Sequence, residues 1–270
     1  TIRLPKSLDG AWHARGYYGH IRHNAKAIYQ KYLGWYDANP ANLDPLPPVA
    51  AGKKFVEYMG GADAILSRAR ADFDKGEFRF IAQALSHLVF AEPDNAAARA
   101  MLADTFEQLG YLSESSTWRN AYLFGAQELR QGLPNAPPRP PMPRETLAAL
   151  RTGQLWDVLG VRLNGPKAEG KTIVLNWAFT DTREKFALTL ENCALTYAEG
   201  VQAPDADASF TLPRALLDEV IAKKATFPEA MAAGKISFTG NPMKLGELMA
   251  LMDEFPRMFE IVEPKRTVVT

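Results

Sequence analysis

The chain has 270 residues, 47% hydrophobic and 23% charged, with Lys+Arg and Asp+Glu equal at 31 each. This is the composition of globular protein with room for two domains, and the balanced charge gives no nucleic-acid signature. A single cysteine, Cys193, excludes an intramolecular disulfide and a thiolate metal cluster, and no apolar run is long enough for a transmembrane helix.

Residues 1–48 are expected to form an aromatic and basic segment. The first 36 residues hold Arg3, Lys6, Arg15, Arg22, Lys26 and Lys31 against Asp9 alone, together with His13, His20 and His23. The stretch from Trp12 to Pro40 is too polar for a core and too aromatic for a tail. It reads as a surface that packs on a partner outside these residues. Residues 1–10 contain no apolar signal-type segment. A Pro cluster, Pro40 to Pro48, closes the segment.

Residues 49–132 are expected to be all-α. From Leu66 to Arg130 the apolar positions recur at helical spacing. One stripe is Phe78, Ile81, Ala82, Leu85, Leu88 and Val89; another is Met101, Leu102, Thr105, Phe106 and Leu109; a third is Trp118, Ala121, Tyr122, Gly125 and Leu129. Gly76, Phe78, Leu85 and Pro93 match the second half of a tetratricopeptide-type repeat, and Leu102, Ala103, Phe106 and Gly110 the first half of the next. So few repeats suit a packing scaffold better than a peptide groove.

Residues 133–143 read as a Pro-rich linker, since Gly132 to Pro143 (GLPNAPPRPPMP) cannot be helix or central strand. Residues 144–270 are expected to form an α+β domain, an antiparallel sheet with helices on one face. Ile173, Leu175, Trp177 and Phe179 alternate with polar or small neighbours, as do Phe186, Leu188 and Leu190, then Leu195 and Tyr197, then Phe210 and Leu212. The expected order is a meander, a helix from Pro213, a short helix from Phe227 to Ala233, a strand from Lys235 to Thr239, and a last helix capped by Asn241.

No H-x-H-x-D-H, H-E-x-x-H, G-x-S-x-G, P-loop or dinucleotide motif occurs, so no self-contained catalytic or metal centre is legible. The opening offers anion contacts instead. Arg15, Arg22 and Lys26, with Tyr17, Tyr18, His23 and Asn24, are donors suited to sulfate or phosphate oxygen, or to an acidic neighbour. In the α+β domain Trp177, Phe179, Phe210, Phe238, Met249 and Met252 form a large, adaptable apolar set, either a plain core or an alkyl-chain slot.

The motifs RGYYG (Arg15 to Gly19), His23-Asn24, Tyr29-Gln30, YLGWYD (Tyr32 to Asp37), Asn39-Pro40 and PLPP (Pro45 to Pro48) resemble the segment after the metallo-β-lactamase-like domain of bacterial alkylsulfatases. The helical stretch to Arg130 resembles that family's dimerisation domain. Leu155 to Met252, especially AGKISFTGNPMKLGELM, is similar to sterol carrier protein type 2 domains. Family members carry Thr or a similarly small residue where this chain has His20.

The resemblance implies a homodimer and hydrolysis of long-chain alkyl sulfates to alcohol and sulfate. It implies two zinc ions in an N-terminal metallo-β-lactamase-like domain and a periplasmic or secreted location. It places Arg15, Tyr17, His23, Asn24 and Tyr32 at the edge of the zinc site, with catalytic and metal residues outside this chain. The alternative is a stand-alone lipid-binding or carrier module with a helical-repeat interaction domain and no hydrolase activity.

Overall fold

The computed structural model describes residues 4–137, 140 and 142–265. They divide into two compact units. The first holds residues up to Ala136 and resumes at Met258; the second runs from Pro137 to Arg257. The second unit is thus flanked on both sides by chain of the first, whereas the sequence suggested one domain from 144 onward. Residues 138, 139 and 141 of the expected linker, and 1–3 and 266–270 of the termini, lie outside the described residues.

The first unit is helical. Its opening carries α1 (Lys6–Asp9) and α2 (Ile21–Leu33), and neither buries a residue. The scaffold follows: α3 (Pro48–Tyr58), α4 (Ala62–Asp74), α5 (Phe78–Ala91), α6 (Ala96–Tyr111) and α7 (Ser116–Gln131). Helix α5 is central, packing against α3, α4 and α6, and α6 packs against α7. Ile81, Leu85, Leu88 and Val89 of α5 meet Met101 and Leu102 of α6 in one core. These are the residues that the 3.6-residue period selects. Gly52 of α3 sets the approach to α5, because a Cβ there would lie 2.6 Å from the His87 carbonyl oxygen.

Helix α7 departs from its expected stripe. Gly125, Ala126 and Leu129 enter the core, but Ala121 is exposed and Trp118 half-buried. The first half of α7 faces the opening segment instead. Helices α4 to α7 pack consecutively while α3 skips to α5, and nothing in the packing singles out a tetratricopeptide repeat.

The C-terminal stretch of the chain returns to these helices. The Glu128 carboxylate accepts the backbone N–H groups of Ile261 and Val262 at 2.8 and 2.9 Å. Arg99 pairs with the nearly buried Glu263 and donates to the Leu129 carbonyl at 2.8 Å. Val262 packs against the helical core.

The second unit is α+β. Helices α8 (Arg144–Ala149) and α9 (Thr152–Arg162), absent from the sequence reading, precede β1 (Ile173–Phe179), β2 (Lys185–Glu191), β3 (Ala194–Glu199) and β4 (Ala208–Leu212). Then come α10 (Arg214–Ile221), α11 (Phe227–Ala232), β5 (Ser237–Gly240) and α12 (Met243–Met249). The strand order is β3-β2-β1-β4-β5. The first three strands form the expected antiparallel meander, but β4 pairs parallel to β1, Trp177 opposite Phe210. The sheet is therefore mixed. The alternating residues of β1, β2 and β4 join Leu155, Trp156, Leu216, Leu217 and Leu248 in one core, so the helices cover one face. Asn241 assists the last helix through its side-chain oxygen, which accepts the Met243 N–H at 3.0 Å.

Candidate functional site

The opening segment is fastened to the start of α7 by its backbone. The Tyr17 carbonyl accepts the Ser116 N–H at 2.6 Å, and the Tyr18 carbonyl accepts the hydroxyls of Ser115 and Thr117 at 2.9 and 3.0 Å. Turning the chain there needs Gly16, since a Cβ would lie 2.7 Å from the Gly19 carbonyl oxygen. With the backbone tied down, the side chains of Tyr17 and Tyr18 stay exposed. Arg15 is committed to Glu114 at 2.5 Å, the acidic neighbour that the sequence reading held open.

His20 and His23 gather around Trp118. His20 stacks on the indole with ring centroids 4.0 Å apart and planes 3° from parallel. Its Nδ1 accepts the Arg22 N–H at 3.1 Å, which caps α2. Burial, reinforced by the charge of Arg22, lowers the His20 pKa, so its ring favours the neutral form that stacks. The Trp118 indole donates to His23 Nδ1 at 3.1 Å. The ring proton of His23 then resides on Nε2, on an exposed side chain free to donate outward. Asn24 is exposed one residue further on.

Tyr32 is not brought to this cluster. Nine residues along α2 place it roughly 13 Å up the axis and on the opposite face from His23. It belongs to a stripe of Ile21, Ala25, Ile28 and Tyr32, of which Ile28 is 59% and Tyr32 76% exposed. Ala25 is half-buried and Ile21 38% exposed, so the stripe is barest toward its C-terminal end. Sequence reasoning missed Ser115, Thr117 and Trp118 as the anchors of the segment. The Ser-Glu-Ser-Ser-Thr run across the start of α7 was their one visible signal.

In the second unit the six apolar candidates split. Trp177, Phe179 and Phe210 are 1–2% exposed and packed among Trp156, Phe186 and Phe227. Met252 is buried as expected, but Phe238 and Met249 are each 43% exposed, against the expected inward face. Phe238 pairs in register with Phe210, on the correct side of the sheet. It sits on the edge strand β5, however, which has no strand neighbour on its outer side among the described residues. Met249 ends α12, one position past the buried Leu248. The indole N–H groups of Trp156 and Trp177 have no hydrogen-bond partner among the described residues.

Among the described residues no three His, Cys, Asp or Glu side chains are grouped to hold a metal ion, and no helix is long and apolar enough to cross a membrane.

Comparison with known proteins bears on both units. Residues 1–132 match the family model for alkyl sulfatase dimerisation, and residues 140–264 the model for the alkyl sulfatase C-terminal region. The alkyl/aryl-sulfatase BDS1 of Saccharomyces cerevisiae is 54% identical over 264 residues, which are 98% of this chain and 40% of that protein. An (R)-specific secondary-alkylsulfatase of a Pseudomonas species is 47% identical over 97% of this chain and 39% of its own length. The solved structure of the stereoselective inverting sec-alkylsulfatase Pisa1 from Pseudomonas matches with a TM-score of 0.90 at 46% identity, over 98% of this chain and 42% of that one. The chain thus spans about two fifths of the length of these relatives.

Proposed function

Because the chain belongs to the alkylsulfatases through both of its units, we propose that it is the dimerisation and hydrophobic-substrate-binding portion of an enzyme that hydrolyses alkyl sulfate esters to alcohol and sulfate. The observation that carries this reading is the pair of family matches, which run in the alkylsulfatase order across almost the whole chain. The uncovered aromatic face of the opening agrees with it. In this reading α2 and the loop before it pack on a metallo-β-lactamase-like domain, and a second copy of the chain covers further apolar surface. His23 Nε2 and Asn24 border the reaction site as donors to sulfate oxygen, with Tyr17 and Tyr32 on the packed surface. Arg15 acts by holding the loop through Glu114 rather than by touching the anion.

The two zinc ions of the resemblance supply a Lewis acid in such an enzyme. The described residues here do not fit them, having no grouped ligands. They belong to another part of the polypeptide in this reading. In the second unit, Trp177, Phe179, Phe210 and Met252 form the wall behind an alkyl site, with Phe238 and Met249 at its exposed margin.

The test has two parts. With zinc added, this chain alone should release no sulfate from dodecyl sulfate, whereas the same chain placed behind the catalytic domain of an alkylsulfatase relative should release it. By sedimentation at micromolar concentration the chain should be a dimer. A clean monomer, or sulfate release by the isolated chain that survives repurification, would overturn the reading.

A further inference from the structure

A cleft of about 560 Å³ lies between α2, α5 and the first half of α7. Arg22 and Lys26 enter it from α2, one helical turn apart. Arg79, Gln83 and His87 enter it from α5, at successive turns of one face. Trp118 and Tyr122 of α7, with Phe106 and Leu109 of α6, give it an apolar wall. Its size is that of a small-molecule site.

The charge arrangement is the unusual feature. Arg22, Lys26 and Arg79 line the cleft and no carboxylate does. Among the described residues none of the three side chains makes an ion pair, although the same unit pairs Arg15, Lys54, Lys75, Arg99 and Arg130. The adjoining, larger cleft shares Arg22, Arg79 and Trp118 but includes Asp9, Glu77 and Glu114. Absence of acid is thus local. Cations facing one another across a cleft without a counter-charge repel, and an anion between them removes that repulsion. Gln83 and Ser86 add neutral donors, and Arg and Lys are the side chains that recognise sulfate-like oxygens. The apolar wall adds a second requirement. The flanks of Phe106, Trp118 and Tyr122 that the helical core leaves uncovered line the cleft beside the cations, so an amphiphile meets both halves where a bare ion meets one. His87 agrees with this setting: burial lowers its pKa, so it lines the cleft as a neutral group stacked on Phe55 at 4.0 Å.

We propose that the cleft between α2 and α5 binds an organic monoanion, a sulfate ester with a short apolar tail, with Arg22, Lys26 and Arg79 holding the head and Phe106, Leu109, Trp118 and Tyr122 holding the tail. The anionic, amphiphilic class follows from the cleft itself; the choice of a sulfate head rests on the function proposed above.

Octane-1-sulfonate, a non-hydrolysable mimic, is titrated calorimetrically into the 270-residue chain below its micelle concentration and at low salt. Binding should weaken at least tenfold in Arg79→Glu and in Arg22→Glu, recover in Arg79→Lys, and fall several-fold at high salt. Inorganic sulfate and octan-1-ol should each bind at least tenfold more weakly than the sulfonate. Lys26 and Arg79 are exposed and Arg22 is half-buried, and an unchanged far-UV spectrum checks that the variants are folded. Sulfonate binding that is absent, or indifferent to both Glu variants, would overturn the proposal, as would equal binding of octan-1-ol. Equal binding of octanoate would uphold the anion cleft and overturn the sulfate head. Dimerisation and sulfate release, measured separately, report on the enzyme reading without involving Arg79.

Discussion

In the C-terminal unit Trp177, Phe186 and Phe210 are 2%, 0% and 1% exposed, whereas Trp12, Tyr32 and Trp35 of the opening are 74%, 76% and 70% exposed. Both sets are dense in aromatic residues. The difference lies in the backbone that carries them. In the sheet, alternation puts Trp177 beside Phe186 and Phe210 on neighbouring strands, and Trp156 of α9 closes over them. In the opening, a helix with no other helix across its apolar stripe leaves Ile28 and Tyr32 bare. A ring contributes to folding where the chain itself supplies the opposing surface; elsewhere it is held for another partner.

The largest effect should come from the closed set. Trp177→Ala removes a ring packed against Trp156, Phe179, Phe210 and Phe227, and should cost about 3–5 kcal/mol. Hydrogen exchange should show β1 and β2 losing protection while α5 and α6 keep theirs. Trp177→Phe should cost less than half as much, because it keeps a ring and removes a buried N–H that has no partner among the described residues. Equal costs for the two variants would mean that the indole N–H is engaged, and that this core is not a purely apolar closure.

A smaller effect is expected where the first unit closes on itself. Glu263 is 3% exposed against Arg99, and Arg99 also holds the Leu129 carbonyl. Breaking a buried pair inside a fold costs several kcal/mol. Apart from Val262 this segment joins the helices through polar contacts near the chain's end, so Glu263→Ala can relax by letting it detach. The loss should therefore be about 2 kcal/mol. The amides of Ile261 and Val262, bound to Glu128, should exchange at least tenfold faster, and the segment should become open to proteolysis. Full retention of their protection would assign the anchoring to Val262 packing instead.

The sequence disclosed elements whose partners are close in the chain or fixed by period. The α5 and α6 stripes are one case and the alternation of β1, β2 and β4 another, since burying one face imposes that spacing. The parallel pairing of β1 with β4 was not legible, because alternation carries no strand direction. Nor was the exposure of Phe238 and Met249: both obey the pattern of an inward face, and only their place at a sheet edge and a helix end uncovers them. At the site, Arg15, His23 and Asn24 were visible as donors. That Glu114 occupies Arg15, or that Trp118 fixes the His23 tautomer, depends on residues some 95 positions away. That Arg79 shares a cleft with Arg22 and Lys26 was invisible, because it lies more than fifty positions from them in the sequence.

The smallest effect should come from the open set, and its smallness is the point. Trp35 is 70% exposed and its one ring neighbour among the described residues is Tyr36, in tilted contact at 5.6 Å. Removing it takes little apolar surface out of any core, so Trp35→Ala should change the unfolding free energy of this chain by less than about 0.5 kcal/mol. On the function proposed above, the same substitution in the chain placed behind the catalytic domain of an alkylsulfatase relative should do much more, lowering sulfate release and loosening the two parts. A ring that fills a partner's pocket is costly to truncate even when it contributes nothing to its own fold. A Trp35→Ala chain that unfolds as readily as Trp177→Ala would show that the opening is part of a core after all. If it is silent in both settings, the aromatic face has another use than packing on a catalytic domain.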